Sequence, residues 1–165
     1  MHTVCMPVPK TRKASASPQG QLDTFIDKYR PEVAALARAC LAKMRARLPG
    51  ATQIVYDNYN ALVVGFGPSE KTSHAVFSVA MYPRWVNLFF LQAGPKLPDP
   101  HGLLKGSGNV VRSITIQSAS ELDQPAVQAL IAAALKRAIQ PIDPAAPGEL
   151  VIRSISAKRR PRRPK

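Results

Sequence analysis

The chain is poor in the residues that build metal and redox sites. Its 165 residues include two cysteines and three histidines. Cys5 and Cys40 alone do not supply the four ligands of a structural zinc site. His2, His74 and His101 stand apart, whereas nucleophilic catalysis needs a nucleophile, a base and an orienting group together. We therefore expect no metal, no cofactor and no catalytic residue, and predict that the protein is not an enzyme.

Acidic residues are also scarce. Ten Asp and Glu stand against 23 Lys and Arg, for a net charge of +13. The excess is concentrated at the ends, because residues 1–20 and 158–165 contain basic residues and no acidic ones. The composition of KRRPRRPK (158–165) predicts a disordered tail. Such a tail attracts nucleic acid without reading its sequence, which gives one alternative binding site: Lys158, Arg159, Arg160, Arg162, Arg163 and Lys165.

Long apolar runs are missing as well. No stretch of about 18 apolar residues could form a membrane span. Residues 1–20 lack the apolar segment of a secretory signal, so they predict a flexible leader. We therefore expect a cytoplasmic protein without a membrane span.

Helical periodicity is clearest between Pro31 and Leu48. Apolar residues recur there every three or four positions, which places them on one face of a helix. A shorter helix is expected from near Gln21 to Tyr29. A closing helix is expected after Asp123, which suits an N-cap, and Pro141 would end it.

Between these helices lie short β-rich runs at 53–56, 60–66, 74–81, 85–91 and 110–116. The order of helices, strands and helix predicts an α+β fold, with N-terminal helices and a C-terminal helix packed on a mainly antiparallel sheet of about four to five strands. Residues 21–142 form the predicted single domain. Residues 143–157 are expected to dock on it or to act as a linker.

The segment LLKGSGN (103–109) invites comparison with a phosphate-binding loop. Its glycines precede a β-branched run, whereas a nucleotide loop leads into a helix whose N-terminus faces the phosphate. A turn in which Gly106 and Gly108 supply positive φ angles or close backbone approach is favoured. Alternatively, Lys105 and Arg112 bind a small anion at this turn.

Aromatic residues make up 6% of the chain, and most lie in the strand region. Consecutive Phe89 and Phe90 must point to opposite faces of a strand, so one of them reaches the second face of the sheet. An exposed cluster of Tyr82, Arg84 and Trp85 would suit a ligand pocket or single-stranded nucleic acid. Our candidate ligand-binding residues are therefore Tyr82, Arg84, Trp85, Lys105 and Arg112.

Three segments together resemble the YdhG-like bacterial domain family of unknown function. They are FIDKYRPEVAALARACLAKMRARLPGATQIVYD (25–57), WVNLFFL (85–91) and LLKGSGNVVRSI (103–114), the last of which is followed by the closing helix. The resemblance covers residues 22–140 and implies the same α+β fold. The chain departs from the family pattern at Gln53, Asn109 and Ser113. One group of this family is described as a frataxin-like iron chaperone, and the resemblance implies that role as one alternative.

These observations favour a non-enzymatic small binding module of the YdhG-like type, with an unknown small ligand or protein as its partner. The first alternative is a nucleic-acid-associated protein that uses its basic C-terminal tail. The second is the iron chaperone, although the ten acidic residues are spread along the chain and do not form the carboxylate cluster that iron prefers.

Overall fold

A computed structural model describes residues 17–164 of the chain. Most of the predicted leader, residues 1–16, lies outside the described residues, as does Lys165. The described helices are α1 (Pro18–Asp27), α2 (Pro31–Arg47) and α3 (Pro125–Lys136). The strands are β1 (Thr52–Asp57), β2 (Leu62–Gly67), β3 (Phe77–Met81), β4 (Val86–Phe90), β5 (Arg112–Ile116) and β6 (Leu150–Ile155).

Local sequence signals explain where the helices begin. Ser17 caps α1, because its hydroxyl accepts a hydrogen bond from the Gly20 amide, and the helix begins three residues before the position expected from periodicity. Pro31 opens α2 as predicted, since proline suits the first turn. Asp123 does not cap α3. Its carboxylate instead pairs with Lys43 at 2.6 Å, and this contact, mainly a hydrogen bond, lowers the pKa of Asp123.

The six strands form one sheet in the order β5-β4-β3-β2-β1-β6. Neighbours pair antiparallel except β1 and β6, which are parallel. The α+β prediction is confirmed, with one strand more than expected. The additional strand is β6, which lies within the segment 143–157 that is expected to dock on the domain or to act as a linker. The crossover that a parallel partner of β1 requires is supplied by α3.

The helices cover only one face of the sheet. Alternate residues of the strands, among them Val64, Val79 and Leu88, join the apolar residues of all three helices in one core. The other face is termed the open face here. The turn at Thr72–His74 lies over its β1–β2 half, where Gly65 and Gly67 leave room for Ala75. No helix within residues 17–164 is long and apolar enough to cross a membrane.

The C-terminal segment contacts the domain through its arginines, whereas its composition predicts a disordered tail over 158–164. Two tail arginines pair with Asp57: Arg159 at 2.8 Å and Arg162 at 2.9 Å. Arg163 donates to the carbonyls of Asp27 and Lys28 at the C-terminal end of α1. The helix dipole favours a cation at this end. Composition indicated disorder because it does not show that a buried carboxylate lies within reach.

Candidate ligand-binding site

The turn between β3 and β4 presents two stacked aromatic rings. The Tyr82 amide donates to the Trp85 carbonyl at 2.9 Å, which closes a hairpin with Pro83 and Arg84 at its tip. This hairpin brings the two rings to 5.0 Å between centroids at an interplanar angle of 18°. Trp85 remains 44% exposed, so the hairpin holds a large aromatic surface in contact with solvent.

A groove of about 350 Å³ lies beside Trp85. The first turns of α2 provide one wall, with Glu32, Val33 and Leu36. The hairpin and the end of β5 provide the other, and its lining residues are Arg84, Trp85, Thr115, Ile116 and Gln117. The groove therefore combines an apolar lining with one cation and one anion.

Alternate residues from Trp85 onward form a row along β4, namely Trp85, Asn87 and Phe89, of which Asn87 and Phe89 lie within the strand on its open face. Val86, Leu88 and Phe90 of β4 are buried in the core, and Trp85, Asn87 and Phe89 alternate with them. Phe90 is fully buried and packs edge-on against Phe77, whereas Phe89 is only partly buried. The expectation that Phe89 and Phe90 face opposite sides of the sheet is confirmed.

The basic tail lies at the same end of the sheet as this hairpin, and Tyr29 connects the two. The Tyr29 hydroxyl donates to the Met81 carbonyl at 2.8 Å, next to Tyr82. The Arg162 guanidinium lies over the Tyr29 ring at 5.5 Å. Burial raises the pKa of Tyr29 to about 12, so its hydroxyl stays protonated and donates over the physiological pH range.

The cations of this end divide into two groups. Arg159 and Arg162 pair with Asp57, and the Arg162 side chain is only 5% exposed. Lys158, Arg160, Arg163 and Arg84 are exposed. We call these four residues the exposed cations. Of the described residues of the predicted nucleic-acid site, Arg159 and Arg162 are therefore bound to Asp57, Arg163 is exposed but bonds to α1, and Lys158 and Arg160 are exposed.

Lys105 and Arg112 lie at the opposite end of the sheet from Trp85. Arg112 pairs with Phe90 across β4 and β5, whereas Ile116 pairs with Val86 beside the hairpin. The structure therefore separates the five predicted ligand residues into two groups. The Arg112 guanidinium donates to the carbonyls of Gly108 and Val111 at 2.6 and 2.9 Å, and so stabilises the glycine turn.

The glycine segment forms a turn that leads into β5. Lys105 exchanges two backbone hydrogen bonds with Ser113, so the chain folds back along the outer edge of that strand. Gly106 has a φ of 129°, as predicted for the turn. Gly108 has neither a positive φ nor a close backbone neighbour, which corrects the expectation for that residue.

Metal-binding residue types are not clustered in the described part of the chain. Among residues 17–164, no group of three or more His, Cys, Asp or Glu side chains could hold one metal ion. Cys40 lies in the core, and burial raises the pKa of its thiol to about 11. The iron-chaperone role implied by the family resemblance stays a prediction.

Comparisons of the chain with protein-family models, with curated proteins and with solved structures find no match. The YdhG-like assignment therefore also stays a prediction. What the structure defines is an α+β domain with helices on one face of its sheet and a stacked aromatic hairpin at one end.

Sequence reasoning missed three parts of this end of the molecule. The α2 wall of the groove comes from residues that are 49 to 53 positions away from Trp85. The Asp57–Arg162 pair joins residues 105 positions apart. The sequence did not indicate a functional role for Asn87, because a single polar residue is common in a β-rich run. Strand alternation starting from Trp85 could have placed Asn87 and Phe89 on the same face.

Proposed function

We propose that the protein is a non-enzymatic cytoplasmic binding module that binds single-stranded nucleic acid at the Tyr82–Trp85 hairpin. The observation that carries this proposal is an exposed tryptophan, stacked on a tyrosine, at the end of the molecule that also holds the exposed cations. Single strands are bound through this combination, because bases stack on aromatic rings while cations follow the phosphates.

Stacking is the first part of the proposal. Tyr82 packs against one side of the Trp85 ring system and so restricts the Trp85 side chain before a ligand binds. Less conformational entropy is then lost on binding. A stacked base contributes about 1–3 kcal/mol in proteins that bind single strands. The interaction tolerates any base, so this hairpin fits binding without strong sequence preference.

The docked tail is the second part. A free tail would attract nucleic acid and then lose conformational entropy on binding. Here the Asp57 ion pairs and the Arg163 contacts with α1 fix the tail in advance. The tail therefore adds positive potential at a defined place beside the hairpin, and we expect binding to weaken strongly with salt.

A small planar ligand is a second candidate. The groove beside Trp85, with its volume of about 350 Å³, falls within the range of small-molecule sites. This would make the partner an unidentified small ligand, as the sequence first suggested. Arg84 and Glu32 at the groove would then select a ligand with both an acceptor and a donor.

Binding of a labelled oligothymidylate of ten nucleotides, followed by fluorescence anisotropy, tests the proposal. We expect Trp85→Ala to weaken binding about 5- to 150-fold, the equivalent of one lost stack. Tyr59→Ala is the matched control, because Tyr59 is also exposed at this end but lies outside the stacked pair. Equal affinity of wild-type protein and Trp85→Ala would contradict the proposal.

A further inference from the structure

The open face carries no charged residue in strands β1 to β5, although the chain as a whole is strongly basic. Its β1–β2 half is overlaid by the turn at Thr72–His74, to which Tyr56 bonds through the Thr72 hydroxyl at 2.6 Å. The β3–β5 half holds Phe89, flanked in register by Ser78 and Ser113. Phe89 is partly exposed between these two small residues.

Asn87 stands between Trp85 and Phe89 in the same row. Its side-chain oxygen, Oδ1, is buried and has no hydrogen-bond partner within the described chain. A buried unpaired oxygen costs stability. Because Oδ1 makes no bond and Asn87 as a whole is only partly buried, rotation of the side chain can present either its oxygen or its NH₂ group to a ligand. This polar group has no structural role that the described residues explain.

The spacing of the row matches a nucleic-acid strand. Same-face residues along a strand are about 7 Å apart, which places Trp85 and Phe89 about 13 Å from each other with Asn87 midway. One class of RNA-binding domain uses an open four-stranded sheet, on which exposed aromatic residues stack two or three bases. The edges of unstacked bases carry hydrogen-bonding groups of both kinds, which the Asn87 amide can match.

We infer that Asn87 and Phe89 form a base-binding site that holds a second base of the strand bound at Trp85. The inference rests on the proposed function and extends it. Phe89 stacks on the base, and the Asn87 amide bonds to its edge. The neutral surface suits bases, while the phosphates remain near the exposed cations at the hairpin end.

Two substitutions and one spectrum test the inference with the ten-nucleotide oligothymidylate. We expect Phe89→Leu to weaken binding about 5-fold or more, because the stacking ring is lost. Asn87→Leu should weaken binding about 3- to 10-fold and yet raise the melting temperature by about 2–4 °C, since it removes a buried unpaired oxygen. In the wild-type protein, the Asn87 side-chain amide signals should shift when the oligonucleotide is added.

Val63→Ala is the control, because Val63 lies on the open face in β2, outside the row. It should bind as wild type does. Normal affinity in Phe89→Leu and Asn87→Leu, with binding still dependent on Trp85, would overturn this inference and leave the proposed function standing. An unmoved Asn87 amide in a wild-type complex would do the same. Wild-type protein that does not bind the strand would overturn both.

Discussion

Arg162 and Asp57 form an ion pair in which both side chains are buried. Nη2 of Arg162 lies 2.9 Å from Oδ1 of Asp57, and the two side chains are 5% and 2% exposed. The guanidinium also donates to the carbonyls of Asn58 and Tyr59. The last residues of the described chain are thus fixed to the turn that follows β1, at the end of the sheet that holds the proposed binding site.

Replacing Arg162 should therefore destabilise the protein. Arg162→Met keeps the length of the side chain but leaves the buried Asp57 with Arg159 as its remaining cation. We expect a loss of about 2–4 kcal/mol in the free energy of unfolding, because removal of one partner from a buried pair leaves charge uncompensated. Urea denaturation measures this loss.

Arg160→Met is the matched control for that experiment. Arg160 carries the same charge two positions away, but its side chain is exposed. The free energy of unfolding should change by no more than about 0.5 kcal/mol. Equal stability of the two variants would show that the tail is not fixed through Asp57.

Stability should fall at high pH because of Tyr29. Its pKa is raised from 10.0 to about 12 by burial, so the folded protein holds this proton more tightly than the unfolded chain does. The resulting stabilisation is complete below pH 10 and is lost as the pH rises toward 12. Burial raises the pKa of the Cys40 thiol from 9.0 to about 11, so this group also lowers the stability of the fold as the pH rises from 9 to 11. Denaturation curves between pH 8 and 12 measure the decline.

Tyr29→Phe separates the two contributions. This variant loses the hydrogen bond to the Met81 carbonyl and should be less stable at neutral pH by about 1–3 kcal/mol, because a buried acceptor loses its donor. Its stability should then fall less than that of the wild type above pH 10. A decline as steep as in the wild type would show that Tyr29 is not the titrating group.

The two glycines of the turn before β5 should respond differently to alanine. Gly106 has a φ of 129°, and an added Cβ would lie 3.2 Å from the Val111 carbonyl oxygen, so Gly106→Ala should cost about 1–3 kcal/mol. Gly108 has open space around it, and Gly108→Ala should be neutral or slightly stabilising. Thermal melts measure the melting temperatures of both variants, and equal values would contradict this difference between the two glycines.

Salt dependence should identify Arg84 as a phosphate contact. If Arg84 neutralises one phosphate, Arg84→Ala should reduce the slope of log affinity against log salt by about 0.7. Lys71→Ala removes the same charge at the far end of the sheet and should leave the slope unchanged. Equal slopes in the two variants would mean that Arg84 acts only through net charge.

Much of the fold could be predicted from local patterns. The apolar stripe of α2 and the proline that opens it depend on neighbouring residues, and the strands β1 to β5 follow from short β-rich runs. The tail and β6 could not be predicted in this way, because their partners Asp57 and β1 lie about 100 positions earlier. In this protein the charged, proline-rich segment is held by the buried carboxylate of Asp57, which binds two of its arginines.

The candidate site shows the same limit. Tyr82, Arg84 and Trp85 were identifiable because an aromatic–proline–arginine turn between strands is exposed. Lys105 and Arg112 were grouped with them, yet strand pairing places Arg112 at the far end of β4. Distance along the chain does not show which end of a strand a residue occupies.

Trp85 is the sole tryptophan of the chain, so its emission reports directly on the proposed site. Titration of wild-type protein with unlabelled oligothymidylate is therefore the most direct measurement. We predict saturable quenching as a base stacks on the indole, with a midpoint that weakens as salt is raised and with much weaker quenching by duplex DNA of the same length. Unchanged Trp85 emission while the strand binds, or no binding at low salt, would contradict the account.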